Sequence, residues 1–253
     1  MTDPEAHTGP AVDLVAGRLP VGLGPGIRAA FTGPGNLSRT VGEQSDVLAR
    51  RRALAAWLGA PVAYAWQVHG RGVHVVTGPG EVPDDGPVAQ ADALVAVGGR
   101  VGLAVLVADC VPVLLADPLA AVVGVAHAGR AGVAVDVVGA TVAAMVAEGA
   151  DRGRLRAVIG PAVCGRCYEV PADLRDQVAA DVPVAAATTS WGTAALDLPR
   201  AVAHQLHAAG VAAVADVGRC TLEDPAWFSH RGSGADAARA VGRFAGVVRA
   251  LNR

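Results

Sequence analysis

Residues 101–129 read VGLAVLVADCVPVLLADPLAAVVGVAHAG, and this stretch governs how the rest of the chain is understood. Apolar runs at 101–107, 112–116 and 121–126 are short and rich in valine, and each is bounded by Asp, Pro or Gly. Those features favour strands over helices. Asp109, Cys110, Asp117 and His127 interrupt the apolar pattern. Three readings stand open here: a buried hairpin with incidental polar residues, a Cys/His nucleophile pair, or part of a metal site.

Working outward, a further apolar run at 92–97 predicts another strand. PVAYAWQVHG predicts a strand ending at His69, and GVHVV predicts a short partner. A loop rich in Gly, Pro and Asp covers roughly 77–90. SDVLARRRALAAWLG has the marks of a helix, with Ser45 as a candidate N-cap and Gly59 as its stop. Helix signals recur at 131–148, 171–180, 194–209 and 235–250, with strands at 155–159 and 211–217 among them. No fixed-period repeat and no linker of disordered composition divides the chain. The expectation is an α/β (α+β) fold of mixed β-sheets layered with flanking helices. Residues 1–10 are expected to be a flexible tail and 11–253 a single domain.

Composition narrows the function. Of 253 residues, 52% are hydrophobic, which excludes a disordered or solvating role. All 21 basic residues are arginine. A lysine Schiff base, a lysine-anchored pyridoxal cofactor and a Walker A loop are therefore excluded. A formal charge of −2 and a pI near 6.4 provide no steering toward nucleic acid or anionic membrane. The run at 101–126 is too broken by Asp and Pro to span a bilayer, and 131–147 carries Asp136. No signal-peptide pattern is present, so a cytoplasmic protein with reduced thiols is expected.

His69, Cys110 and His127 fall at predicted strand ends, where sites are commonly built. Imidazole and thiolate suit zinc or copper, and three protein ligands leave a fourth position open, as in catalytic zinc sites. Against this, a buried Cys is usually a small hydrophobe and a lone His a hydrogen-bonded one. Cys164 and Cys167 form CGRC, the spacing of a redox pair, for which an inert buried thiol is the simpler account. The glycines of FTGPGN and GPGEVPDDGP lack the strand–loop–helix context of a nucleotide-binding fingerprint. Seven histidines, none in a His-x-His pair, are too few for a multicopper centre.

Seven segments in order, WQVHG, DALVA, ADCVPVLLAD, GVAHAG, IGPAVCGRCYEV, GRCTLEDPAWFSHRG and GRF, resemble the laccase-domain family. Its members are also called YfiH-like or multicopper polyphenol oxidoreductase proteins, and several behave as purine nucleoside phosphorylases. The resemblance runs from about Phe31 to the C-terminus. It implies that His69, Cys110 and His127 are metal ligands and catalytic residues, with zinc as the ion and copper as the lesser alternative. It further implies substrate contacts from Arg231, Asn36 and Arg130. The chain departs from the family at Arg130 and Ala131, where a Trp-Arg pair is usual. It departs again in the short FTGPGNLS, and at His230, Arg231 and Gly232.

The function so implied is a zinc-dependent purine nucleoside phosphorylase using adenosine, inosine or methylthioadenosine with phosphate, with adenosine deamination as a further activity. Its partners would be nucleoside and phosphate, with no nucleic acid or membrane, and a monomer would suffice. Two other readings remain at this point. One is a cysteine hydrolase using Cys110 and His127, or an enzyme that edits peptidoglycan precursors. The other is a non-catalytic zinc-binding interaction protein. Asp92 and Asp109 are each able to orient a ligand histidine or to cap a strand end.

Overall fold

The valine-rich runs build strands buried on both faces. The computed structural model describes residues 18–251, so the expected tail at 1–10 lies outside the described residues. In chain order the first half contains β1 (Leu19–Pro20), β2 (Ile27–Phe31), α1 (Gln44–Leu58), β3 (Val62–Trp66), β4 (Val73–Val76), β5 (Ala89–Gln90), β6 (Ala93–Val97), β7 (Gly102–Val107), β8 (Val111–Asp117) and β9 (Val122–Ala128). The second half adds α2 (Arg130–Ala134), α3 (Val137–Ala147), β10 (Arg156–Ile159), α4 (Ala172–Asp181), β11 (Ala186–Thr188), β12 (Ala194–Leu196), α5 (Leu198–Ala208), β13 (Ala213–Asp216), α6 (His230–Ala235) and β14 (Phe244–Ala250).

Two six-stranded mixed sheets result. The first runs β1-β2-β14-β7-β3-β5 and the second β13-β10-β8-β9-β6-β4. Phe31, Leu103, Val105, Phe244 and Val248 of the first pack against Leu94, Leu114, Val123 and Val125 of the second. Residues one step along the same strands turn outward. Ala104, Ala245 and Val247 meet α1 through Leu54 and Leu58. Val95, Val113, Leu115 and Ala126 meet α3 and α5 through Val138, Val142, Val202 and Leu206. The order of layers is therefore helix, sheet, sheet, helices. Because both faces of each central strand are covered, apolar residues run without alternation, as in 101–107 and 111–116.

The mixed, layered α/β architecture agrees with expectation, and four local details differ. The stretch 235–250 is not a helix, because 244–250 is β14, inserted between β2 and β7 of the first sheet. Its apolar spacing is ambiguous in so short a run, and tertiary pairing decides the matter. The expected helix 131–148 breaks at Asp136, which takes a left-handed φ of 54° while its carboxylate accepts a hydrogen bond from Gly139 N (2.9 Å). The stretch 194–209 opens with β12 before α5 begins. Helix α1 starts at Gln44, so Ser45 lies inside its first turn; Gly59 ends it in the left-handed conformation, as expected.

Asp117 closes the β8–β9 end away from the site. Fully buried, its carboxylate accepts bonds from Leu119 N, Ala120 N and Asp151 N and from the Arg154 guanidinium. Burial pushes its pKa up, but Arg154 and the backbone donors outweigh that and hold it below the usual carboxylate range. The stabilisation is therefore present at neutral pH and is lost as pH falls through the depressed folded value. Asp117→Ala should lower unfolding free energy by about 3 kcal/mol at neutral pH. Denaturant titrations should show this gap narrowing in acid, and a gap independent of pH would contradict the assignment.

Candidate metal centre

Three times the chain steps from the first sheet to the second, and each step places one residue of the site. Residues 67–72 carry it from β3 to β4, 91–92 from β5 to β6, and 108–110 from β7 to β8. These steps hold His69, Asp92 and Cys110. The crossings are sharp, and His69 (φ 61°) and Asp109 (φ 85°) adopt the left-handed conformation that non-glycine residues rarely take. His127 arrives on β9, whose pairing with β6 and β8 sets it beside Asp92 and Cys110. Gln67 braces the first crossing by mimicking a strand residue. Its amide donates to Leu106 O and accepts from Leu106 N, both at 2.8 Å.

His69, Cys110 and His127 each direct one ligand atom into a shared space, all three lying within 4.8 Å of one another. Cys110 Sγ is 3.8 Å from His69 Nε2. The two imidazoles meet edge to face with centroids 4.7 Å apart. Gly129 makes room, since a Cβ there would sit 2.7 Å from the His69 ring and 3.1 Å from Cys110 Sγ. The structure brings together the three residues that the sequence singled out, although they are far apart along the chain.

Of the two acids, it is Asp92 that orients a histidine. Its buried Oδ1 lies 2.8 Å from His127 Nδ1, which leaves Nε2 to face the cluster. Its carboxylate also accepts bonds from His69 N (2.9 Å), Val68 N (3.2 Å) and Gly70 N (2.6 Å), fixing the loop that presents His69. Asp109 instead ties loops together. Its carboxylate accepts from Thr221 Oγ1 (2.6 Å) and Arg231 N (2.8 Å), and its carbonyl accepts from Val163 N (3.0 Å).

This donor set fits a divalent borderline ion. It comprises two imidazoles and a thiol with no competing cation among them, and one imidazole is oriented by a carboxylate. Without an ion, Cys110 and His127 hold each other's charge. Burial would raise the Cys110 thiol, but hydrogen bonds from His127 and His69 pull it down to about 6. Burial would likewise lower His127, yet Asp92 and Cys110 hold it up to about 9. At neutral pH this is a Cys110 thiolate beside a His127 imidazolium, so a cation bound here would displace the His127 proton.

The rim holds the two arginines. The Arg231 guanidinium lies 4.5 Å from the centre of the Tyr168 ring. Tyr168 has its phenol pushed up by burial and by the nearby Cys110, with Arg231 and Arg130 acting in the opposite direction. No salt bridge from Arg231 to Glu223 or Asp224 is found among the described residues; Glu223 pairs with Arg166 at 3.6 Å. Asn36 is occupied differently. It donates to Ser38 O and Val41 O and accepts from Ser38 N and Arg243 N, which braces its own loop against the start of β14. Tyr168 was missed as a rim residue because nothing local in CYEV signals a partner at Arg231. Arg239 was missed as well: it donates to the carbonyls of Thr221, Leu222 and Trp227 and so shapes the loop before Arg231.

Residues 25–250 match the family model described as multi-copper polyphenol oxidoreductase laccase. The chain belongs to that family. A purine nucleoside phosphorylase of Streptomyces griseus is 48% identical over 227 residues, covering 88% of this chain and 89% of the relative. One from Mycobacterium tuberculosis H37Rv is 42% identical over 217 residues, covering 84% and 83%. Among solved structures, Neisseria meningitidis protein NMB0706 superposes with a TM-score of 0.81 at 29% identity, covering 93% of this chain and all of that one. YlmD from Geobacillus stearothermophilus gives 0.78 at 32% identity, covering 90% and 93%. These neighbours share the layered two-sheet fold. Among the described residues no helix is long and apolar enough to cross a membrane.

Replacing Asp92 with Asn should weaken divalent-ion binding by roughly 10–100-fold, the usual effect of losing a carboxylate behind a ligand histidine. Competition with a chelating dye measures this directly. An unchanged affinity would mean that His127 is not a ligand.

Proposed function

We propose that this chain is a zinc-dependent purine nucleoside phosphorylase, with the catalytic domain spanning 11–253 and the ion held by His69, Cys110 and His127. Adenosine, inosine and methylthioadenosine are the substrate class, and deamination of adenosine is a second reaction of the same site. The observation that carries the reading is the convergence of two imidazoles and a thiol beside an arginine-bearing rim. It occurs in a chain 48% identical to a protein named for this activity.

Phosphorolysis forms a bond from a phosphate oxygen to the anomeric carbon as the carbon–nitrogen bond to the purine breaks. Zinc held by His69, Cys110 and His127 would supply a Lewis acid. With the ion bound, Asp92 would keep a proton on His127 Nδ1, so that Nε2 could give its lone pair. Phosphate needs a positive partner, and in a chain without lysine that partner is an arginine. Arg231, steadied over the Tyr168 ring, presents its planar fork for bidentate contact with phosphate. Arg130 begins α2 directly after the glycine that abuts His69 and Cys110, and we assign it to the nucleoside side.

A second reading rests on the same geometry. Cys110, His127 and Asp92 stand in the order nucleophile, base and orienting acid, the arrangement of a cysteine hydrolase. The two readings separate on reagents. Phosphorolysis requires phosphate and is suppressed by a strong chelator. Turnover that survives chelation and is abolished by thiol alkylation would establish the hydrolase instead.

Arg231→Ala should weaken phosphate binding by roughly 1.5–3 kcal/mol, the range for hydrogen bonds to a charged group. Arg130→Trp should change the preferred nucleoside and leave phosphate affinity nearly unaltered. Initial rates over a grid of phosphate and nucleoside concentrations test both. Melting temperatures measured on the same samples show whether any loss reflects the fold.

A further inference from the structure

Strands β10 and β13 lie parallel and adjacent, so the segments that follow them leave the second sheet at the same end. That end also carries the crossings to β4, β6 and β8, and therefore the metal centre. The two segments continue side by side. Ala162 N donates to Arg219 O at 3.1 Å and Thr221 N to Ala162 O at 3.0 Å. Each then makes a tight turn. In CGRC, Cys167 N and Tyr168 N both donate to Cys164 O at 2.9 Å; in CTLED, Asp224 N donates to Cys220 O at 3.0 Å. Each turn sets two side chains three residues apart toward the other segment, Cys164 with Cys167 and Cys220 with Glu223.

The four meet. Their ligand atoms all lie within 4.8 Å of one another. Cys164 N donates to Cys220 Sγ at 3.4 Å, and Cys167 Sγ donates to Glu223 Oε1 at 3.4 Å. Cys167 and Cys220 are buried, Cys164 is half-buried, and Glu223 closes the outer side at the surface. Arg166 stands 3.6 Å from the outer Glu223 oxygen, a positive group where a thiolate-rich site would carry excess negative charge. Gly165 allows the turn to seat, because a Cβ there would lie 2.6 Å from that of Asp197.

We propose that Cys164, Cys167, Cys220 and Glu223 form a second site, distinct from the His69–Cys110–His127 centre, that binds a structural divalent ion of zinc type. Two C-x-x-ligand turns converging from residues 56 apart are the pattern of a closed tetrahedral site, and thiolates select a soft or borderline ion. A redox pair accounts for less, since any one disulfide leaves the third thiol and the carboxylate without a role. Without an ion, burial pushes the Cys164 and Cys167 thiols up, so that they stay protonated beside one another. Binding would displace those protons. The ion would clasp the segment bearing Tyr168 to the segment bearing Thr221, which is tied through Asp109 to Arg231. It would thus hold the rim in place and leave the reaction to the first centre. An ion at these four residues is independent of the reaction at the first centre.

The test measures zinc per chain in the full-length protein, purified under reducing conditions, loaded with zinc and freed of excess. The wild type should carry two ions, His69→Ala/Cys110→Ala one, and Cys164→Ser/Cys220→Ser one. Cobalt substitution reports the ligands, because thiolate-to-cobalt charge-transfer absorption grows with the number of thiolates. The ion left in His69→Ala/Cys110→Ala should give the stronger, three-thiolate band. If the Cys164/Cys220 variant fails to fold, Glu223→Gln at the exposed edge serves in its place. It should release the second ion to a chelator on the order of tenfold faster. Complete loss of metal in a folded His69→Ala/Cys110→Ala variant would overturn the proposal. So would a disulfide among these cysteines that persists in the reduced, zinc-loaded protein.

Discussion

One buried carboxylate holds the site together. Asp92 accepts three consecutive backbone N–H groups from Val68 to Gly70 and faces the Nδ1 of His127. A buried carboxylate without partners would be costly, so this set of donors is what allows Asp92 to sit where the sheets join. It couples the loop that bears His69 to the ring of His127. Removing it would release the left-handed turn at His69 and the tautomer of His127 together.

Asp109 performs the matching task on the other side of Cys110. It gathers the segments after β7, β10 and β13 and the first turn of α6. The rim of the candidate site is therefore assembled from loops tied to the His69–Cys110–His127 cluster by two acids. Loops ordered in this way by side-chain bonds keep a fixed geometry despite lying outside the sheets. The rim also carries most of the departures from the family pattern, at Arg130 and Arg231, while the proposed ligands keep theirs.

Burial on both faces explains the composition. In a two-sheet sandwich flanked by helices, the central strands cannot alternate polar with apolar residues, and β7, β8 and β9 are nearly all valine, leucine and alanine. Such strands offer little chemistry of their own. The reactive groups collect where the chain changes sheets, at His69, Asp92 and Cys110, and where β9 reaches that same edge at His127.

The sequence alone determined that 92–97, 101–107, 112–116 and 121–126 would be strands, because short valine-rich runs between Asp, Pro and Gly have few other outcomes. It also singled out His69, Cys110 and His127 as a set, through residue type and the motifs around them. Tertiary structure decided what local pattern cannot carry. β14 became a central strand because β2 and β7 leave a gap that only a paired backbone fills, although 235–250 has helical spacing. Asp92, and not Asp109, became the partner of His127 because β6 pairs with β9 in a register that sets the two side by side. Asn36 went to its own loop and Arg231 to Tyr168 for the same reason: long-range contacts are chosen by how the sheets stack, and residues far apart in sequence contain no local record of that choice.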